Sequence, residues 1–199
     1  MARSRASDFE EKQHSLLLNA ARVFASQGME KASMSQIASI AGVSKSLLYH
    51  YYPSKGALIF KIIETHLQSL ESALAKADNP AREPEKRLEE LVATVLKAYK
   101  GADDQHKVQL NAGIALSDEQ QQEITAIERR IVKRFSSVIR DIRPELDSPE
   151  RPLLQPVTMS LFGMMNWVYM WFRDGGTIDR DDYAKIATTL ILEGLKTVR

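Results

Sequence analysis

The chain contains no cysteine, which excludes disulfides, thiolate metal sites and cysteine nucleophiles. It opens Met-Ala-Arg-Ser-Arg, without the apolar run of a signal peptide. Its most apolar stretch, residues 159–172, is shorter than the ~20 residues that span a bilayer and is interrupted by Ser160 and Asn166. A soluble, cytoplasmic protein with no membrane partner is expected. Signatures of catalysis are missing too. No Gly-x-Ser-x-Gly, no phosphate-binding Gly-Lys-Ser/Thr and no His-Glu-x-x-His occurs, and the four histidines are scattered. Neither an enzyme nor a cofactor is expected. There is no internal repeat, no low-complexity run and no convincing strand. Net charge is only +1, so the chain is no polycation. The charge is nevertheless uneven. Residues 1–60 hold seven basic side chains against four acids, a balance of +3, which leaves −2 for the remainder.

What is present is helical periodicity, and residues 33–52 organise it. Met34, Ile37, Ala38 and Ala41 recur at three- and four-residue spacing and make one helical face apolar. Ser33 precedes them as a cap, and Gly42 tolerates the positive φ that ends a helix and turns the chain. Val43 plugs the angle, Ser44 caps a second helix, and Leu48 and Tyr52 share its inward face. Lys45, Ser46, Leu47, Tyr49, His50 and Tyr51 are left outside. Lysine neutralises phosphate or donates to guanine. Tyrosine bonds phosphates and packs on sugars or thymine methyls. The pattern fits a helix-turn-helix with its second helix in a major groove, or a helical hairpin used only as scaffold.

Ile37-Ala38, Ala41-Gly42-Val43-Ser44, Leu48-Tyr49-His50-Tyr51-Tyr52, Ser54-Lys55 and Leu58 together resemble the DNA-binding signature of the TetR family of bacterial repressors. Tyr52 stands where the family usually has phenylalanine, so its hydroxyl must reach the edge or find a partner. Ser35 stands at a position often long and polar. The resemblance implies DNA contacts from Ser33, Ser44, Lys45, Ser46, Leu47, Tyr49, His50, Tyr51 and Lys55. Read from its place alone, Lys55 at the start of the next helix either clamps a phosphate together with the amides around it or is a solvated surface lysine.

Elsewhere, residues 1–7 read as a polar arm with Arg3 and Arg5, either disordered or reaching a groove. A first helix is expected over residues 8–27, stopped by Gly28. Ser54 caps a long fourth helix to about residue 77, carrying Leu58, Ile62, Ile63, Leu67, Leu70 and Leu74. A fifth runs from Pro84 to Gly101, and a sixth covers residues 105–116. Asp103, Asp104 and His106 suit a helix start better than a metal site. Ser117 and Gln120 form a capping box for a seventh helix striped by Ile124, Ile127, Ile131, Phe135, Val138 and Ile142. Arg130 and Arg134 flank that stripe and want an anion, either a protein carboxylate or a ligand's phosphate or carboxylate. An eighth helix, apolar nearly all round, runs until Gly175-Gly176 and needs burial on several sides, as at a subunit interface. Asp179 caps the last.

The expectation is an all-α protein. A three-helix head, residues 1–53, is joined by the long fourth helix to a larger ligand-binding and dimerisation body, residues 54–199. The resemblance implies a repressor that binds a near-palindromic operator as a homodimer and is released by a small-molecule inducer. Phe162-Gly163, Asn166-Trp167 and Trp171-Phe172-Arg173 resemble a fatty-acid and aromatic-acid catabolism subgroup whose members tend to sense acyl-CoA. The ligand contacts that go with it are Tyr99, Arg130, Arg134, Phe162, Met165, Asn166, Trp167, Tyr169 and Trp171. An efflux-type repressor sensing apolar or aromatic compounds, or a constitutive DNA-binding protein without inducer, stays open.

Overall fold

The computed structural model describes residues 2–113 and 115–198, with side chains from residue 12 onward. Apolar spacing and glycine punctuation account for most of its element ends. Helix α1 (Ala2–Gln27) buries Leu17, Ala20, Ala21 and Phe24 and stops where Gly28 takes φ 83°. The side chains of Arg3 and Arg5 lie outside the described set. Short helices α2 (Met34–Ile40) and α3 (Lys45–Tyr51) follow, then α4 (Lys55–Ala77), α5 (Pro84–Tyr99), α6 (Asp103–Asn111) and α7 (Asp118–Ile142). After a 3-10 turn at Pro144–Leu146 come α8 (Leu154–Asn166), α9 (Val168–Trp171) and α10 (Arg180–Leu195). The fold is all-α.

The described chain forms two compact units that interleave in sequence. The first comprises residues up to Leu67 together with Ala102–Thr125. Within it Met34, Ile37, Ala38, Leu48 and Tyr52 are buried with α1's apolar face and with Leu58, Ile59, Ile62 and Ile63 of α4. Helix α6 packs along α1. The α6–α7 turn comes closer still. The carbonyl oxygen of Ala115 lies 2.8 Å from where a Cβ on Gly56 would stand, so only glycine fits that place in the first turn of α4. Ser117 and Gln120 form the expected reciprocal cap at the start of α7, with bonds of 3.1 and 3.3 Å.

The second unit contains Gln68–Gly101 and the chain from Ala126 onward. Helix α10 packs mainly on α5 and also on α8. Its start is a capping box between Asp179 and Asp182. Buried Arg180 grips Asp174 with two bonds of 2.9 Å, donates to the Leu96 carbonyl, and lies over the Phe172 ring. That fastens the loop before α10 to α5.

Four expectations are corrected. Helix α1 begins at Ala2, so residues 2–7, expected as a polar arm ahead of a helix from residue 8, are helical. A two-residue antiparallel pair, β1 (Asp147–Ser148) with β2 (Arg151–Pro152), closes the turn before α8. Helix α6 starts at Asp103 and ends at Asn111, short of residue 116. The expected eighth helix is two. Trp167 ends α8 and begins α9, because the Met170 amide closes onto the Trp167 carbonyl at 3.0 Å in a tight i→i+3 turn. Helix α9 then stops at Phe172, which is extended, well before Gly175.

Candidate nucleic-acid interface and ligand site

The turn between α2 and α3 is built from main-chain bonds. Gly42 sits at φ 67°, and the Val43 amide reaches back to the Ala38 carbonyl at 3.0 Å, which closes α2 as a glycine-terminated cap. The hydroxyl oxygen of Ser33 accepts from the Gln36 amide at 3.2 Å, and that of Ser44 accepts from the Leu47 amide at 3.1 Å. Both hydroxyls keep their hydrogen for an outside acceptor such as phosphate.

Inward, Leu48 is fully buried and Tyr52 nearly so. The Tyr52 hydroxyl finds its partner in Gln13, whose Nε2 donates to it at 3.1 Å. Outward stand Lys45, Ser46, Leu47, Tyr49, His50 and Tyr51, all exposed. Lys45 Nζ lies 5.8 Å from the Tyr49 ring centroid, and His50 meets Tyr51 edge-on at 5.3 Å. The surface thus offers a cation, hydroxyl donors, ring faces and an apolar side chain on one short helix, the mixture that phosphates, sugars and base edges accept. Lys55 behaves differently. Its ammonium donates to the carbonyls of Glu30 at 3.1 Å and Ala32 at 3.3 Å.

In the second unit, the residues expected at a ligand site divide into three groups. Tyr99 is buried and donates to Asn166 Oδ1 at 2.9 Å; burial, and then the charge of Glu128, push its hydroxyl's pKa up. Met165 and Phe162 are also buried, and Phe162 meets Phe135 edge-on at 5.0 Å. Arg130 and Arg134 are held by protein carboxylates. Arg130 makes a two-bond grip on Glu71 at 2.6 and 3.0 Å, which holds the Glu71 carboxyl below its usual range. Arg134 meets Asp78 at 2.6 Å, and the other Asp78 oxygen takes Arg87. The sequence leaves open whether the anion for these two arginines is a protein carboxylate or a ligand's; in the structure it is Glu71 for Arg130 and Asp78 for Arg134. Glu71 lies on α4 and Asp78 directly after its last residue, where the Asp78 amide still bonds to the Leu74 carbonyl at 2.9 Å, while Arg130 and Arg134 stand four apart on one face of α7. Trp167 and Trp171 are 58% and 50% exposed on this chain, with half-buried Tyr169 edge-on to Trp167. No group of three or more His, Asp or Glu able to hold a metal occurs among the described residues, and no helix among them is long and apolar enough to cross a membrane.

A helix-turn-helix with an exposed, mixed-chemistry second helix on an all-α scaffold defines a DNA-binding regulator, and comparison with known proteins gives its family. Residues 16–62 match the family described as bacterial regulatory proteins, tetR family, and residues 81–195 match the tetracyclin repressor-like C-terminal domain. The chain belongs to the TetR family of transcriptional regulators, which are not enzymes. A crystal structure of a TetR-family regulator from Bordetella parapertussis 12822 is 31% identical, with TM-score 0.84 over 94% of this chain and 96% of that one. The transcriptional repressor KstR2 of Rhodococcus jostii is 25% identical over 90% of this chain and 89% of its own. The fold is shared with AibR, crystallised in complex with isovaleryl coenzyme A and operator DNA, at TM-score 0.77 and 21% identity over 90% and 97% of the two chains. Other curated relatives are matched over part of their length only, the chain spanning 36% of one and 45% of another.

Proposed function

We propose that the protein is a ligand-responsive repressor whose residues 1–53 read a near-palindromic operator and whose residues 54–199 hold the inducer and a second copy of the chain, in the cytoplasm. The observation that carries the reading is the exposed face of α3, Lys45 to Tyr51, held by caps on both short helices. Ser33, Ser44, Lys45, Ser46, Leu47, Tyr49, His50 and Tyr51 make the contacts. A homodimer places two such helices on successive major-groove faces. Exposed Met159, Trp167, Met170, Trp171, Ile186 and Leu190 support the need for a partner surface.

The inducer is an acyl-CoA, a reading supported by the likeness to AibR and by an interior that pairs apolar Phe162 and Met165 with the Tyr99–Asn166 hydrogen bond. Ligand acts by favouring the release-competent conformation. A preference of only ~1.4 kcal/mol moves occupancy tenfold at saturation. One observation favours a second reading. Arg130 and Arg134 already hold carboxylates, which suits an uncharged apolar or aromatic inducer that asks nothing of them. The deciding experiment titrates acyl-CoAs, the matching free acids and neutral aromatics against the operator complex, following release and tryptophan fluorescence. Release by acyl-CoA alone supports the first reading; release by neutral aromatics alone replaces it with the second.

A further inference from the structure

Helix α3 has two different flanks on either side of its outward face. At about 100° per residue, Lys45 and Tyr49 lie on one flank and Leu47 and Tyr51 on the other, with Ser46 and His50 between them. The first flank carries a cation and a hydroxyl. The second is largely apolar and continues beyond the helix. Leu47, Leu48 and Tyr51 border a recess of about 80 Å³ whose other walls are Val43 in the turn and Leu16 and Lys12 of α1. Gln13 also borders it, but its amide nitrogen is engaged by the Tyr52 hydroxyl at 3.1 Å. The walls are almost wholly apolar. Leu16 and Leu48 are buried, whereas Leu47 and Tyr51 are exposed and form the side open to solvent. A single exposed leucine needs no explanation. One that borders an apolar recess on the helix facing DNA calls for an apolar group on the DNA.

Base edges in the major groove present hydrogen-bonding groups with one exception, the 5-methyl of thymine. A leucine side chain has no donor or acceptor, so at a base edge it discriminates only through that methyl. Leu47 is the third residue of α3, in the N-terminal turn that lies nearest the base edges. The recess beside it exceeds the ~10–15 Å³ that lodges one water-sized group, and a methyl is of that size. We propose that Leu47 determines specificity: with Tyr51 and the recess behind them it receives the 5-methyl of one thymine in each half-site. The inference rests on α3 being the DNA reader and adds which base this flank selects. The competing occupant is a deoxyribose, which packs on the same walls but carries no sequence information.

The test uses the full-length protein and an operator duplex recovered by selection from random double-stranded DNA. Each thymine of that duplex is replaced in turn by deoxyuridine, which removes the methyl and nothing else. The expected result is one thymine per half-site whose demethylation weakens wild-type binding about fourfold, the contribution of one buried methyl, and leaves binding by Leu47→Ala unchanged. A duplex in which no thymine responds overturns the proposal; if Leu47→Ala nevertheless binds more weakly than wild type, the recess takes a sugar. A response that persists in Leu47→Ala overturns it in favour of another reader. A second readout needs no variant. 5-Iododeoxyuridine, whose iodine stands where the methyl does, should on irradiation at that position cross-link to Tyr51, as located by mass spectrometry. A cross-link to Tyr49 or His50 alone puts the methyl elsewhere on the helix and overturns the proposal even if Leu47→Ala does not fold. Failure of wild type to select any DNA would instead defeat the reading of α3.

Discussion

Lys45 in the first unit and Arg134 in the second are both cations on helices that bury apolar side chains, Leu48 beside the one and Ile131, Phe135 and Val138 beside the other, yet they meet different fates. Lys45 stands exposed beside a tyrosine ring. Arg134 is half-buried against Asp78, a carboxylate shared with nearly enclosed Arg87. The contrast follows from desolvation. A cation near a core must find a counter-charge in its own chain, because an unpaired buried charge costs several kcal/mol. A cation in water is free to await a partner. Exposed charge therefore marks the working surface of the first unit, and paired charge marks the scaffold of the second.

The largest test of that contrast is Asp78→Ala, which takes the carboxylate from Arg134 and leaves Arg87 with Asp141 alone. Chemical denaturation should show a loss of ~3–5 kcal/mol. A loss no greater than that of a surface pair would erase the distinction. Acid separates the units next. His66 in the first unit is held down to about 4 by burial and, secondarily, by His106, against 6.5 when unfolded. With the folded value below the unfolded one, stability is complete above pH 6.5 and falls as pH drops towards 4, by up to ~1.4 kcal/mol per pH unit. In the second unit the lowered groups are Glu71, chiefly through its Arg130 hydrogen bond, and Asp174, chiefly through Arg180. Their contribution is intact above the ordinary carboxylate range and is lost only below it. Hydrogen exchange from pH 7 to 4 should thus loosen α4 and α6 around His66 and His106 first, and His66→Leu should flatten that response. Smaller in scale is Lys45→Ala, expected to cost ~1–3 kcal/mol of operator binding per half-site if it reads a base, with selection relaxed at that position. Smallest is Arg130→Ala. Its pair with Glu71 is open to solvent, so the thermal midpoint should not shift measurably.

The helix-turn-helix was readable because each of its parts is local. Apolar spacing, one glycine and two serine caps lie within twenty residues, and each acts on its neighbours. The same locality made the Ser117–Gln120 and Asp179 caps readable. Where the decisive contact is distant, the chain is mute. Arg130 and Arg134 announced a need for an anion, but Glu71 and Asp78 lie 59 and 56 residues away. Tyr52 demanded a hydroxyl partner, and Gln13, 39 residues off, supplied it. Membership of α6 in the first unit is likewise a matter of tertiary packing on α1. The break at Trp167 escaped for another reason: a run apolar on all sides has no polar face whose phase could slip, so periodicity carries no signal there.

Gly56 sets a boundary on how this regulator can be re-engineered. Directed evolution of DNA specificity would naturally randomise the recognition helix and the first turn of the helix behind it. At 56 the obstacle is the Ala115 main chain, so every added Cβ displaces backbone from another part of the chain. Libraries that spare this one codon should yield a markedly larger folded fraction than those that include it, and natural drift faces the same filter.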